Sequence, residues 1–221
     1  MITTQDTLGQ LAAAHPWASK IFQQFKLDYC CQGARSLDTA CKEAGIDTAN
    51  ILSALHQEEN LSSPTPDWEE SDDVMIMEHI VRFYHDSHRK ELPRLINMAD
   101  KVESVHRGKP GVPEGLGKLL RSLFQDIETH MNSEEERVFP AIRGHKDGLA
   151  PSLRALRTDH ENAGQILQQI TQVTSDFSPP RHACTTWKAL YLGLSAFKKD
   201  LMDHVHLEEH VLFPRQLCHE R

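Results

Sequence analysis

Two segments of the chain carry the same chemistry at the same spacing. Asp126-x3-His130-x3-Glu134-x4-Phe139-Pro140 matches Asp200-x3-His204-x3-Glu208-x4-Phe213-Pro214 at every named position, residue 200 standing 74 positions after residue 126. On a helix, an i,i+4 spacing sets an imidazole and a carboxylate one turn apart on one face, where both can reach one metal centre. Two further histidines accompany the pairs. His85 stands 45 positions before His130 and His160 stands 44 before His204, each followed by an acid, Asp86 or Glu161. The segment therefore reads as two similar helical hairpins, each offering one lone His and one His-x3-Glu pair.

These residues lie inside apolar stripes, and that is what turns a spacing into a site. A single His-x3-Glu is ordinarily an exposed pair on a helix surface, whereas a carboxylate in a core needs a cation, a hydrogen-bonding network or a raised pKa. Two divalent or trivalent ions would supply the charge. Each would take two histidines, with Glu134 and Glu208 bridging and room left for an oxo, hydroxo or substrate ligand. The mixed nitrogen and oxygen set suits Fe and Mn and admits Zn, while the lack of cysteine in the stripes argues against a soft-metal or iron–sulfur site. Two iron ions, oxo- or hydroxo-bridged, are the expected cofactor. The pattern is neither the Glu-x-x-His of ferritin-like bundles nor the His-Glu-x-x-His of zinc proteases. Asp126 and Asp200, one turn before the ligand histidines, are expected to orient the imidazoles.

His85 and His88 share one face at i,i+3, and the 45-against-44 spacing favours His85 as the ligand, leaving His88 a supporting role. His106, His145, His206 and His210 fall off the stripes and are expected to be solvated, although 14 histidines are many for one chain. Phe139-Pro140 and Phe213-Pro214 should end or kink their helices and close the core, and Pro93 should kink the first.

The elements that must position these ligands follow from the same periodicity. Val81, His85, His88, Leu92, Leu95, Ala99 and Val102 mark one helix, and Leu116, Leu120, Leu123, Ile127, His130, Glu134 and Val138 a second. Leu153, Leu156, His160, Ala163, Leu167 and Ile170 mark a third. Trp187, Leu190, Leu194, Phe197, Leu201, His204, Glu208 and Val211 mark a fourth. Breaks at 106–113, 143–151 and 175–181 are short enough to make neighbours antiparallel. The fold class is all-α, with an up-down-up-down four-helix bundle over 73–221. Upstream, residues 1–59 read as a small domain of short helices over 8–14, 17–25, 37–44 and 48–58, interrupted by Pro16, Gly33 and Gly45. Residues 60–72, NLSSPTPDWEESD, have the composition of a linker. About 60 residues approach the lower limit for an independent core, so the small domain is expected to dock on something.

A formal charge of −8 argues against nucleic acid and anionic membrane surfaces as partners. No apolar run approaches the ~20 residues that cross a bilayer, and MITTQDTLGQLAAAHPW lacks a basic leader, so a cytoplasmic protein is expected. Cys30 and Cys31 are adjacent while Cys41, Cys184 and Cys218 are scattered, the usage of a reducing compartment. A disulfide between neighbouring cysteines would close a strained ring. Monomer and homodimer both stay open.

Leu27-Asp28-Tyr29-Cys30-Cys31-x-Gly33, Tyr84-His85-Asp86-x-His88, the two His-x3-Glu segments and Ala183-Cys184-Thr185-Thr186-Trp187-Lys188-Ala189 together resemble the iron–sulfur cluster repair proteins. These are also called repair-of-iron-centres proteins, and their C-terminal domain is hemerythrin-like. The resemblance implies di-iron ligands at His85, His130, Glu134, His160, His204 and Glu208. It further implies a role in restoring iron–sulfur clusters damaged by nitric oxide or peroxide, by supplying iron, with damaged iron–sulfur proteins as partners. Reduction of nitric oxide, or of another small diatomic ligand, at the di-iron centre is the competing activity, and an oxygen- or iron-binding sensor module the third. An oxygen-carrying hemerythrin has five histidines where this chain offers four with two carboxylates. For Cys30 and Cys31 the resemblance favours redox or iron-transferring thiols over ordinary helix-end cysteines.

Overall fold

The computed structural model describes residues 2–30, 32–61, 68 and 70–219. They are helical throughout, apart from turns and one isolated bridge between Thr7 and Ser36. They form two compact units, one of 1–78 with 202–221 and one of 79–201.

In the first part of the first unit the helices are α1 (Leu8–Ala14), α2 (Ala18–Gln24), α3 (Leu37–Ala44), α4 (Thr48–Leu61) and most of α5 (Asp73–His79). Local chemistry sets their ends. Thr7 and Gln10 form a reciprocal capping box at the start of α1, and Ser36 Oγ accepts from Thr39 N at 3.2 Å to start α3. Gly45, at φ 68°, stops α3 in the left-handed conformation that glycine adopts without strain. Leu8, Phe22, Tyr29, Leu37, Ile51 and Leu55 make the core. The second part of this unit enlarges it: Met202 packs on the cluster, and Tyr29 Oη donates to Asp203 Oδ1 at 2.5 Å. The short helices thus dock, as their size required. Arg215 donates to the carbonyls of Trp68 and Ser71 and to Asp73 at 2.6–2.9 Å, which ties the end of the expected linker to 202–219. Residues 62–67 and 69 of that linker lie outside the described residues.

The second unit is built on α6 (Asp86–Val105), α7 (Leu116–Ser133), α9 (Ala150–Val173) and the greater part of α10 (Thr185–Leu207), with α8 (Phe139–Arg143) after α7. α6 packs on α7 and α7 on α9. Lys198 on α10 reaches Thr171 on α9, and Phe197 on α10 meets His88 on α6, which closes the four-helix ring. A Cβ at Gly193 would stand 2.8 Å from Leu95 Cδ2, so α10 lies close enough to α6 that a larger residue there would displace the Leu95 side chain. α6 runs on through Pro93 as one helix.

Three π-helical turns interrupt this regularity: π1 (Ile80–His85), π2 (Glu134–Val138) and π3 (Glu208–Leu212), the last leading into α11 (Phe213–His219). Of the two outcomes expected at Phe-Pro, an end or a kink, the helix does not end. In π2 and π3 the N–H of Phe139 and Phe213 reaches back five residues, to the carbonyls of Glu134 and Glu208. The following proline has no N–H to continue an i→i−4 ladder. The chain widens for one turn and then resumes as α8 and α11. Wide turns of this kind recur at functional sites, and each of the three begins or ends on an expected ligand.

Candidate metal centre

All six expected ligands are buried: His85, Glu134 and Glu208 are 0% exposed, His204 1%, His160 4% and His130 7%. Four sit in the unit 79–201. His85 Nε2 lies 3.4 Å and His130 Nε2 3.3 Å from the same oxygen, Glu134 Oε2. His160 Nε2 is 3.1 Å from His130 Nε2. In the other unit His204 Nε2 is 2.8 Å from Glu208 Oε1.

The outer ring nitrogens decide what the inner ones can do. His85 Nδ1 donates to Glu135 Oε1 at 2.7 Å, and His130 Nδ1 faces Asp159 Oδ2 at 3.4 Å. A carboxylate on Nδ1 holds the ring proton there and leaves Nε2 with its lone pair directed inward, the tautomer a metal ligand needs. Glu135 is itself held by Arg89 Nη1 at 2.8 Å, and Arg89 also reaches Glu128 and Asn132. Burial alone would raise the Glu135 carboxyl, but hydrogen bonds from His85 and Arg89 and their charges keep it below the usual carboxylate range. For Asp159 the hydrogen bond from His130 is the leading cause of a lowered pKa, against burial.

The donor set fits a hard or borderline cation. Carboxylates 0% exposed cost several kcal/mol each unless a compensating charge is close, and imidazole with carboxylate is the set for iron, manganese or zinc. The orienting residue at His130 differs from the expected one: Asp126 is exposed, and the acceptor is Asp159. The reason is geometric. A residue one turn earlier on the same helix lies behind the ring, whereas the outer nitrogen points across to α9.

His88 is 1% exposed and is packed between Tyr84 and Phe197, with ring centroids 6.2 and 5.1 Å away. His145 is exposed. The other off-stripe histidines are not solvated. His106 is 6% and His206 8% exposed, and His210 Nε2 donates to the Cys30 carbonyl at 3.0 Å. Burial drives the His206 pKa down to about 3, helped by the His210 charge. Cys30 is buried, its Sγ 3.3 Å from Asp28 Oδ1, while Cys31 lies outside the described residues. Among the described residues no helix is long and apolar enough to cross a membrane.

Comparison with known proteins adds to this geometry. The family model described as the hemerythrin HHE cation binding domain matches residues 77–215, and a domain of unknown function, ScdA_N, matches 4–59. The chain is 41% identical over 216 residues to the iron-sulfur cluster repair protein YtfE of Citrobacter koseri, covering 96% of this chain and 97% of that protein. To the protein of the same name from Dickeya chrysanthemi it is 41% identical over 212 residues, covering 96% of each. To that of Escherichia coli O8 it is 40% identical over 216 residues, covering 96% of this chain and 97% of the relative.

Proposed function

The chain belongs to the hemerythrin HHE cation-binding family and to the family of iron–sulfur cluster repair proteins, and from that premise we propose that it is a cytoplasmic di-iron protein that restores iron–sulfur clusters damaged by nitric oxide or peroxide, by donating iron. Its domains on this reading are 1–59, a linker at 60–72 and the bundle 73–221. Its partners are damaged iron–sulfur proteins.

The observation that carries the reading is that each copy buries its His-x3-Glu pair with the ligand atoms facing one another: His130 Nε2 is 3.3 Å from Glu134 Oε2 and His204 Nε2 2.8 Å from Glu208 Oε1, with both carboxylates 0% exposed. His85, His130, Glu134, His160, His204 and Glu208 would hold two irons, which would supply redox chemistry and open coordination positions. The chain's own residues keep the site ready: Glu135 and Asp159 hold two rings in the ligating tautomer, and the stripe of leucines excludes water.

Cys30 and Cys31 are assigned the transfer of iron or electrons by their thiols. The test is recovery of a nitric-oxide-damaged iron–sulfur enzyme by protein of equal iron content. Stoichiometric loss of iron from the chain as the enzyme recovers is the expected result. Recovery with the iron still bound would overturn donation, and full recovery with the Cys30→Ser, Cys31→Ser variant would overturn the thiols' role.

A further inference from the structure

The histidine ligands of the unit 79–201 are not held alike. Arg89 stands one turn after His85, on α6, and its guanidinium donates to side chains of α7 and π2: Glu128 Oε1 at 3.2 Å, Asn132 Oδ1 at 3.1 Å and Glu135 Oε1 at 2.8 Å. Glu135 Oε1 is also the atom that accepts from His85 Nδ1 at 2.7 Å. The bonds close a ring, from His85 to Glu135, on to Arg89 and back along one turn of helix. Turning the imidazole away therefore means giving up a hydrogen bond to a carboxylate that is only 29% exposed and is itself pinned by a cation.

His130 has no such support. Its Nδ1 faces Asp159 Oδ2 at 3.4 Å, a long contact to a carboxylate that is 49% exposed, and the Asp159 side chain has no other hydrogen-bond or ion-pair partner among the described residues. His160 lacks the clamp by sequence. Four residues after His85 comes Arg89, but four after His160 comes Gly164, which has no side chain to reach back. Counting 74 positions from Glu128 and Asn132 reaches Met202 and His206, so the acceptors of the clamp are not repeated either. His130 and His160 bring their Nε2 atoms within 3.1 Å of each other, the approach of two ligands to one ion, whereas His85 comes to Glu134 Oε2 separately, at 3.4 Å.

We propose that the iron held through His85 is the one the protein retains, with Arg89 as its positioning residue, and that the iron taken by His130 and His160 is the one it gives up. The inference rests on the two-iron donor reading above and names which ion is the cargo. Partners that fix the outer nitrogen of a ligand histidine are worth about 10–100-fold in metal affinity. A clamp present at one position and missing at the other separates the two irons by a factor of that order.

The experiment mixes full-length, reduced protein carrying two irons per chain with an excess of a coloured ferrous chelator and follows release by absorbance. Wild-type protein is expected to lose its iron in two equal phases with rates about tenfold or more apart. Arg89→Met keeps the stem but removes the clamp, and is expected to speed the slow phase about tenfold while leaving the fast phase unchanged. Arg89→Lys still reaches Glu135 and is expected to restore part of the slow phase, and Asp159→Asn to act on the fast phase alone. A general loosening of the fold would instead speed both phases together. Release of wild-type iron in a single phase, an unchanged slow phase in Arg89→Met, or equal acceleration of both phases in that variant would overturn the inference and leave the two-iron reading standing. Uptake of only one iron per chain would overturn that reading and this inference with it, a failure that metal analysis shows before any release is timed.

Discussion

The two copies of the repeat agree where they ligate and disagree one position around the helix. Counting 74 residues from the first copy, Asn132 corresponds to His206, Glu136 to His210 and Thr129 to Asp203. In the first copy those side chains belong to a solvated face: Glu136 and Thr129 are exposed, and Asn132 accepts from Arg89. In the second they seat the small helices. Asp203 accepts from Tyr29 and Gln23, His206 packs edge-on against Tyr29 at 5.6 Å, and His210 lies against Gly9 and Gly33. A Cβ at either glycine would stand 2.3–2.5 Å from that ring. The ligand face thus keeps the same chemistry in both copies, while the positions beside it differ with what packs on them.

Substitutions at the ligands should act alike in both copies. Glu134→Ala and Glu208→Ala are each expected to abolish the paired centre, because each is a fully buried carboxylate set against the histidine of its own copy. Retention of the full iron content by either, by metal analysis, would break the equivalence. On the first helix, His85→Leu should lose iron far more than His88→Leu, since His85 points at Glu134 and His88 at Phe197. Glu135→Gln, which disturbs the partner of His85 Nδ1, should weaken iron retention by about 10–100-fold.

Corresponding positions off the ligand face should behave differently. Gly33→Ala places a methyl against His210 and the Tyr29 carbonyl and should cost about 1–3 kcal/mol in chemical denaturation. Tyr29→Phe removes a buried hydroxyl bonded to Asp203 and Gln23 and should cost about 1–3 kcal/mol. His210→Ala should be felt to a similar degree, whereas its counterpart Glu136→Ala should stay within about 0.5 kcal/mol. Equal effects at 210 and 136 would remove the contrast between the copies.

The same contrast explains what could be read from the sequence. α1 and α3 were legible to the residue because their ends are local chemistry: Thr7 with Gln10, Ser36, Gly45. The ligand face was legible because an apolar stripe containing His and Glu admits few explanations. A single periodicity reports one buried face, and His206 and His210 lie on a second face, covered by residues distant in sequence. Comparing the two copies position by position would have exposed them, since the second replaces Asn132 and Glu136 with aromatic rings. The π turns escaped for another reason. Phe-Pro announces that the ladder fails, but whether the chain stops or widens depends on packing beyond the proline. His106 escaped too, because its partners Cys184 and Trp187 come from the far end of the second unit's sequence.

The central claim is that six side chains from two copies of one motif hold a pair of irons through shared carboxylates. Metal analysis combined with optical spectroscopy of freshly purified, iron-supplied full-length protein tests it most directly. The account predicts two irons per chain and, on oxidation, the charge-transfer absorption of an oxo-bridged pair. One iron per chain, or zinc at full stoichiometry with iron excluded, would contradict it.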